Sequence, residues 1–220
     1  MVGETAKRTV SALCIISIII TAFLLGRFWT RLLVAALLIL ILYEWISINI
    51  KTSSKYNIIE RSLVLFGGIA YAVVPMLYWV QIANENYFHC DILWCALVTT
   101  TCDLFAYFGG RLMGGPKFVP NISKNKTWSG AVTGFAFGTA VSYVFLSHSH
   151  VFHINSNALL YSVIMALASI MGDLIESKAK RYLGVKDSGS IIPGHGGICD
   201  RLDSFLLTSY VVMALRILGF

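Results

Sequence analysis

An all-α integral membrane protein, a polytopic bundle of about seven transmembrane helices, is the fold class this sequence predicts. Three observations predict it. Hydrophobic residues make up 57% of the 220 positions, and mean hydropathy is +0.74. Charged residues make up 13%, about half the usual share for a soluble domain. The apolar residues also come in runs approaching the roughly 20 residues that cross a bilayer. A soluble fold of this size could not hide that much apolar surface in one core, because too much of it stays at the surface. A bilayer removes the difficulty by acting as the apolar solvent.

Seven runs are expected to be helices: Val10–Leu25, Leu32–Asn49, Ser62–Gln81, Ile92–Gly109, Ser129–Leu146, Asn157–Ile175 and Ser204–Leu218. Lys7 and Arg8 ahead of the first run resemble the basic end of a signal peptide. No small-x-small cleavage pattern follows, and Arg27 and Arg31 lead straight into the next run, so the first run is read as a helix. In the fifth run, Gly130, Gly134 and Gly138 stand four apart. Small residues at that spacing line one helix face and admit a close neighbour, which is a packing feature without chemistry.

Charge orients the bundle. With the N-terminus inside, the cytoplasmic segments hold Lys7, Arg8, Lys51, Lys55, Arg61, Arg111, Lys117, Lys124, Lys126, Lys178, Lys180, Arg181, Lys186 and Arg201. The other side holds Arg27, Arg31 and Arg216. The positive-inside rule then places the N-terminus and the two large charged loops, Gly110–Trp128 and Glu176–Asp203, in the cytoplasm. Arg27 and Arg31, expected in a short turn Gly26–Arg31, run against the rule.

The net charge of +6 does not indicate nucleic acid, which would want one continuous basic face with interleaved aromatics. Here the cations are mixed with aspartates and glycines beside membrane helices, which suits anionic small molecules at a membrane surface. Five cysteines, Cys14, Cys90, Cys95, Cys102 and Cys199, contain no C-x-x-C pair, so neither a disulfide framework nor a thiolate zinc site is supported. His148, His150 and His153 could bind a transition metal, but on the face away from the charged loops they read better as a solvated loop.

Carboxylates in or beside membrane runs are the sharpest chemical signal, because each costs about 2.5–3.5 kcal/mol or more at a helix centre. Asp103 lies in the last third of the fourth run, and Asp173 near the cytoplasmic end of the sixth. Both helices lead into the charged loops. Glu44, between Tyr43 and Trp45, fits a supporting role or a local ion pair equally well. The second loop mixes Asp187, Asp200 and Asp203 with Lys180, Arg181, Lys186 and Arg201, and with Gly184, Gly189, Gly194, Gly196 and Gly197. Carboxylates are hard oxygen ligands for a magnesium-type ion. Lys and Arg hold phosphate oxygens, Arg bidentately, and glycines let backbone N–H groups turn toward an anion.

The order of these residues resembles a known signature. Ser177-x-x-Lys180-Arg181, Lys186-Asp187, Pro193-x-His195-Gly196-Gly197-x-x-Asp200-Arg201-x-Asp203 is similar to that of the phosphatidate cytidylyltransferases. So is the upstream block, Asp103-x-x-Ala106-Tyr107-x-x-Gly110, then Lys117-x-x-Pro120-x-x-Ser123-x-x-Lys126-Thr127-Trp128-x-Gly130. The resemblance runs from about Asp103 to Ser204, whereas the N-terminal third matches only as hydrophobic helices. Two departures stand out: Lys124 where the family often has proline, and Ser129 where it often has Glu or Gln.

The composition is read as a single membrane domain over residues 1–220, in which N-terminal helices span 9–100, a catalytic region 101–204 and a C-terminal helix 204–220. The resemblance implies transfer of CMP from CTP to phosphatidic acid, giving CDP-diacylglycerol and pyrophosphate for phospholipid synthesis. The metal would be Mg2+ or another divalent ion, on Asp173 and Asp200 with Asp187 and Asp203 in support. Asp173, Asp200, Lys180 and Arg201 are the expected catalytic set. Ser123, Lys126, Thr127, Ser177, Arg181, Lys186, His195, Gly196 and Gly197 are expected to bind substrate, with support from Asp103 and Glu44. Membrane lipids are the surroundings, a bacterial-type inner membrane is the expected location, no nucleic acid is expected, and a homodimer is left open. The rival readings are a CTP-dependent lipid kinase, a cytidylyltransferase for another lipid phosphate, and, further off, an ion transporter.

Overall fold

A computed structural model describes residues 2–51, 57–149, 157–192 and 196–219, with side chains from Val10 onward except at Ala12. The described residues are mainly helical, with two longer loops over 114–127 and 183–198 (193–195 not described) and two isolated β-bridges. The helices are α1 (Val2–Leu25), α2 (Arg27–Lys51), α3 (Ile58–Gln81), α4 (Phe88–Met113), α5 (Trp128–His148), α6 (Ala158–Tyr182) and α7 (Cys199–Ile217). Each falls on one of the seven expected runs.

Five of them, α2 to α6, are long and apolar enough to cross a membrane. At 1.5 Å per residue, a 25-residue helix such as α2 or α6 exceeds the roughly 30 Å hydrocarbon thickness. In α1 the apolar stretch with described side chains is Leu13–Leu25. In α7, Asp200, Arg201, Asp203 and Arg216 interrupt a helix of 19 residues.

Two boundaries differ from expectation in ways that matter. The turn expected over Gly26–Arg31 is one residue long. Gly26 takes φ +101, in the left-handed region that glycine adopts without strain, and α2 starts at Arg27. Arg27 is then held locally, donating to the Asn84 carbonyl at 2.5 Å and to Asn86 Oδ1 at 3.0 Å. The second boundary is the end of the sixth helix, expected at Ile175. No helix breaker follows Ile175 until Gly184, so α6 continues to Tyr182, and Gly184 at φ +73 ends the turn beyond it. Ser177, Lys180 and Arg181 therefore stand on a rigid helix.

The chain packs as two compact units, Met1–Phe88 with Ala179–Leu202, and His89–Lys178 with Asp203–Phe220. In the first unit, Trp45, Ile48 and Leu183 form a buried cluster against Val64, Leu65, Ile69, Ala179, Tyr182 and Val185. Trp45 also donates its indole N–H to the Leu65 carbonyl at 3.2 Å.

In the second unit, the glycine face of α5 lies on α4. A Cβ at Gly130 would sit 2.6 Å from the Ala106 carbonyl oxygen, and one at Gly134 would sit 2.6 Å from that of Cys102. Only glycine permits that approach, as the four-residue spacing predicted. Trp94, fully buried, donates to Ser142 Oγ at 2.8 Å, and Phe105 stacks on Phe137 at 3.8 Å.

Candidate active site

Asp200, in the first unit, accepts four hydrogen bonds. It sits in the first turn of α7, where a negative side chain meets the positive helix end. Its Oδ1 accepts from Lys180 Nζ at 2.5 Å and from the Ser188 amide at 3.1 Å; its Oδ2 accepts from the Ser188 amide at 2.9 Å and the Gly197 amide at 3.0 Å. Burial alone would raise the carboxyl's pKa. The hydrogen bond and charge of Lys180, helped by the two amides, outweigh it and hold the group below the usual carboxylate range. Lys180 and Asp200 are both largely buried, at 8% and 11% side-chain exposure, so little solvent screens the pair.

Backbone and side-chain bonds fold the described part of the loop between α6 and α7 back on itself. Val185 donates to the Lys180 carbonyl, Arg181 Nη1 donates to the Val185 carbonyl at 2.8 Å, and Ile192 donates to the Gly196 carbonyl at 3.0 Å. Gly196 takes φ +87, which turns the chain so that the next amide reaches Asp200. Lys186, Asp187 and Arg201 are exposed on the same loop and helix start. His195 lies outside the described residues.

The second unit holds Asp173, half-buried on α6. Ser177, one turn on, donates to Asp173 Oδ1 at 3.2 Å, and Lys126 Nζ pairs with Oδ2. Lys126 comes from the loop between α4 and α5, which folds back on itself. Phe118 donates to the Lys126 carbonyl at 2.9 Å, Trp128 donates to the Pro116 carbonyl at 3.1 Å, and Phe118 meets Trp128 edge-on at 4.6 Å. Thr127 caps α5: its buried hydroxyl accepts from the Gly130 amide at 3.2 Å. Ser123 is half-buried in that loop, and its amide donates to the Val119 carbonyl at 2.9 Å. Asp103 is exposed on α4.

Gly172, beside Asp173, lets α7 approach. A Cβ there would lie 2.7 Å from the Asp203 carbonyl oxygen. Asp203 itself accepts from the Ser204 amide at 2.6 Å.

The acidic residues suit a hard divalent cation by donor type, since all offer oxygen. Asp173 accepts two bonds of the roughly four a carboxylate can take, so lone pairs remain for an ion. Asp200 has its places filled, and would take an ion in exchange for the Lys180 ammonium. Each carboxylate thus already has a cation against it. Among the described residues no three His, Cys, Asp or Glu side chains gather as a ready-made metal set. His148, at the end of α5, bonds through Nδ1 to the Val144 carbonyl at 2.9 Å, while His150 and His153 lie outside the described residues.

Two residues of consequence escaped the sequence reading. Ser188, which organises Asp200, stood between Asp187 and Gly189 with only its small size and polarity as a signal. Asp91, which Arg216 grips with two bonds at 2.8 and 2.6 Å, stands one residue before the expected run Ile92–Gly109, and its only signal is a carboxylate beside apolar residues.

Comparison with known proteins agrees with the signature. The chain is 30% identical over 206 residues to the phosphatidate cytidylyltransferase of Rickettsia bellii, covering 89% of this chain and 85% of that protein. It is 32% identical over 213 residues to that of Rickettsia conorii, covering 91% and 87%. It is 35% identical over 190 residues to that of Staphylococcus saprophyticus, covering 86% and 71%. Residues 52–218, which include every acidic and basic group of the two loops, match the model of the cytidylyltransferase family, and the chain belongs to that family.

Proposed function

We propose that this chain is a phosphatidate cytidylyltransferase, an enzyme that moves the cytidylyl group of CTP onto phosphatidic acid. What carries this reading is the family match over 52–218, within which Asp173 and Asp200 are each held by a lysine. In the reaction, an oxygen of the lipid phosphate forms a bond to the α-phosphorus of CTP. The bond from that phosphorus to the β-phosphate's bridging oxygen breaks, and pyrophosphate leaves. The nucleophile is already an ionised phosphate, so no general base is needed.

The physical obstacle is repulsion. One pair of like charges 4 Å apart costs about 4 kcal/mol at an effective dielectric of 20, and two polyanions present several such pairs. A divalent cation, Mg2+ by expectation, supplies charge neutralisation and alignment when bound. Asp173 and Asp200 are the expected metal ligands, each within its own unit, with Asp187 and Asp203 in support. Lys126, Lys180, Arg181, Lys186 and Arg201 hold phosphate oxygens, and Ser123 and His195 donate hydrogen bonds to them; Ser177, whose hydroxyl is given to Asp173, and Gly197, whose amide is given to Asp200, complete the expected substrate-binding set with Thr127 and Gly196. All seven helices cross the bilayer in this reading, and the N-terminus and both loops face the cytoplasm.

The test is incubation of the purified protein with labelled CTP, Mg2+ and phosphatidic acid in mixed micelles. CDP-diacylglycerol with stoichiometric pyrophosphate is the expected product. Release of CDP instead would make the protein a kinase, and ion flux in sealed vesicles without CTP turnover would make it a transporter.

A further inference from the structure

We infer that Glu44 sets the position of Asp200 through Ser188, which makes Glu44 and Ser188 positioning residues for the charged loop between α6 and α7. Glu44 lies on α2, outside the segments that carry the family signature, and is 2% exposed. Burying a carboxylate is costly unless hydrogen bonds compensate. Its Oε2 accepts from Ser188 Oγ at 3.0 Å and from the Cys199 amide, the first of α7, at 2.9 Å. Ser188 is buried as well. Its hydroxyl accepts from the Asp200 amide at 3.3 Å, and its own amide donates to both Asp200 oxygens.

A hydroxyl has one proton to give. Given to Glu44, it leaves a lone pair for the Asp200 N–H, so the carboxylate on α2 fixes the direction of the relay. The surrounding glycines reserve the space. A Cβ on Gly189 would lie 2.6 Å from Glu44 Oε1, and one on Gly197 would lie 2.6 Å from Oε2 and collide with Ser188 Oγ. Glu44 Oε1 is buried with no hydrogen-bond partner among the described residues. An apolar residue at position 44 would avoid that desolvation cost, so packing alone does not account for a carboxylate here. The bonds made by Oε2 do.

The inference rests on the function proposed above, and its test has one arm that does not. Cys199, the first residue of α7, is 5% exposed, and its amide donates to Glu44. In a Cys14→Ser, Cys90→Ser background, maleimide labelling of Cys199 is followed by mass spectrometry in Ser188→Ala, Glu44→Gln and Glu44→Asp. Turnover of CTP with phosphatidic acid is measured in parallel.

Labelling is expected to rise about tenfold in Ser188→Ala and Glu44→Gln as the loop loosens. kcat should fall about 10- to 100-fold, as for other supporting residues, with the KM for CTP changing less than about threefold. The double variant should be no slower than Ser188→Ala alone, because both act through one hydroxyl. Unchanged labelling, a kcat within about twofold of the parent, or losses that multiply would each overturn the inference. Labelling that rises with kcat intact leaves a packing role only, and overturns it too. Should the parent show no cytidylyl transfer, the functional reading fails and the labelling arm still judges the relay. Ser188→Ala, which removes one oxygen atom, serves if Glu44→Gln does not purify.

Discussion

Arg216 grips Asp91 with a two-pronged ion pair, Nε to Oδ2 at 2.8 Å and Nη2 to Oδ1 at 2.6 Å, joining the last turn of α7 to the first turn of α4. Asp91 is completely buried and the arginine side chain is 11% exposed. Each helix end also gains electrostatically, with the acid at an N-terminus and the base at a C-terminus.

Breaking one side of a buried pair leaves a charge without compensation, at about 3–5 kcal/mol. Asp91→Asn and Arg216→Met are each expected to cost roughly that much, read from thermal unfolding in detergent. Asp91→Leu with Arg216→Met should recover most of the loss, because an apolar pair carries no desolvation penalty. Arg216→Lys should behave as a partial loss, since an ammonium cannot reproduce the planar fork. A double variant as unstable as the two single losses added together would argue against this account.

Asp200 predicts a pH dependence with a definite sign. Its carboxyl is held below the usual range in the folded protein, chiefly by Lys180 against the opposing effect of burial. A group of that kind stabilises the fold fully above its unfolded pKa of about 3.9, and the contribution is lost as pH falls through the lower folded value. Asp200→Asn should therefore melt below the wild type at pH 7, with the gap closing once pH drops below about 4. Tm measured in detergent from pH 7 to pH 3 checks it; a gap constant over that range would remove Asp200 as the source.

The α4–α5 contact makes a steric prediction. A methyl added at Gly134 must displace the Cys102 backbone carbonyl, 2.6 Å away, because no flexible side chain is there to yield. Gly134→Ala should destabilise by about 1–3 kcal/mol. Gly67→Ala on α3 has nothing within 4 Å and should be neutral. Similar unfolding temperatures for the two variants would show that α4 and α5 do not pack this closely.

Much of this was legible in the sequence because it depends on local order. Seven helices followed from seven apolar runs, since a run long enough to cross a bilayer has few other ways to satisfy its backbone. The glycine face of α5 followed from four-residue spacing, and the family from a signature whose residue types cannot replace one another. Helix ends were less legible. The continuation of α6 to Tyr182 depends on the absence of a breaker before Gly184, whereas hydropathy registers only where the apolar residues stop.

Pairings across the chain were decided by tertiary structure alone. Lys126 meets Asp173, Arg216 meets Asp91, and Glu44 meets Ser188 144 residues later. A charge in sequence shows only that a partner is needed. Which partner it finds depends on where packed helices and tied loops bring donors within about 3 Å, the distance at which a hydrogen bond forms.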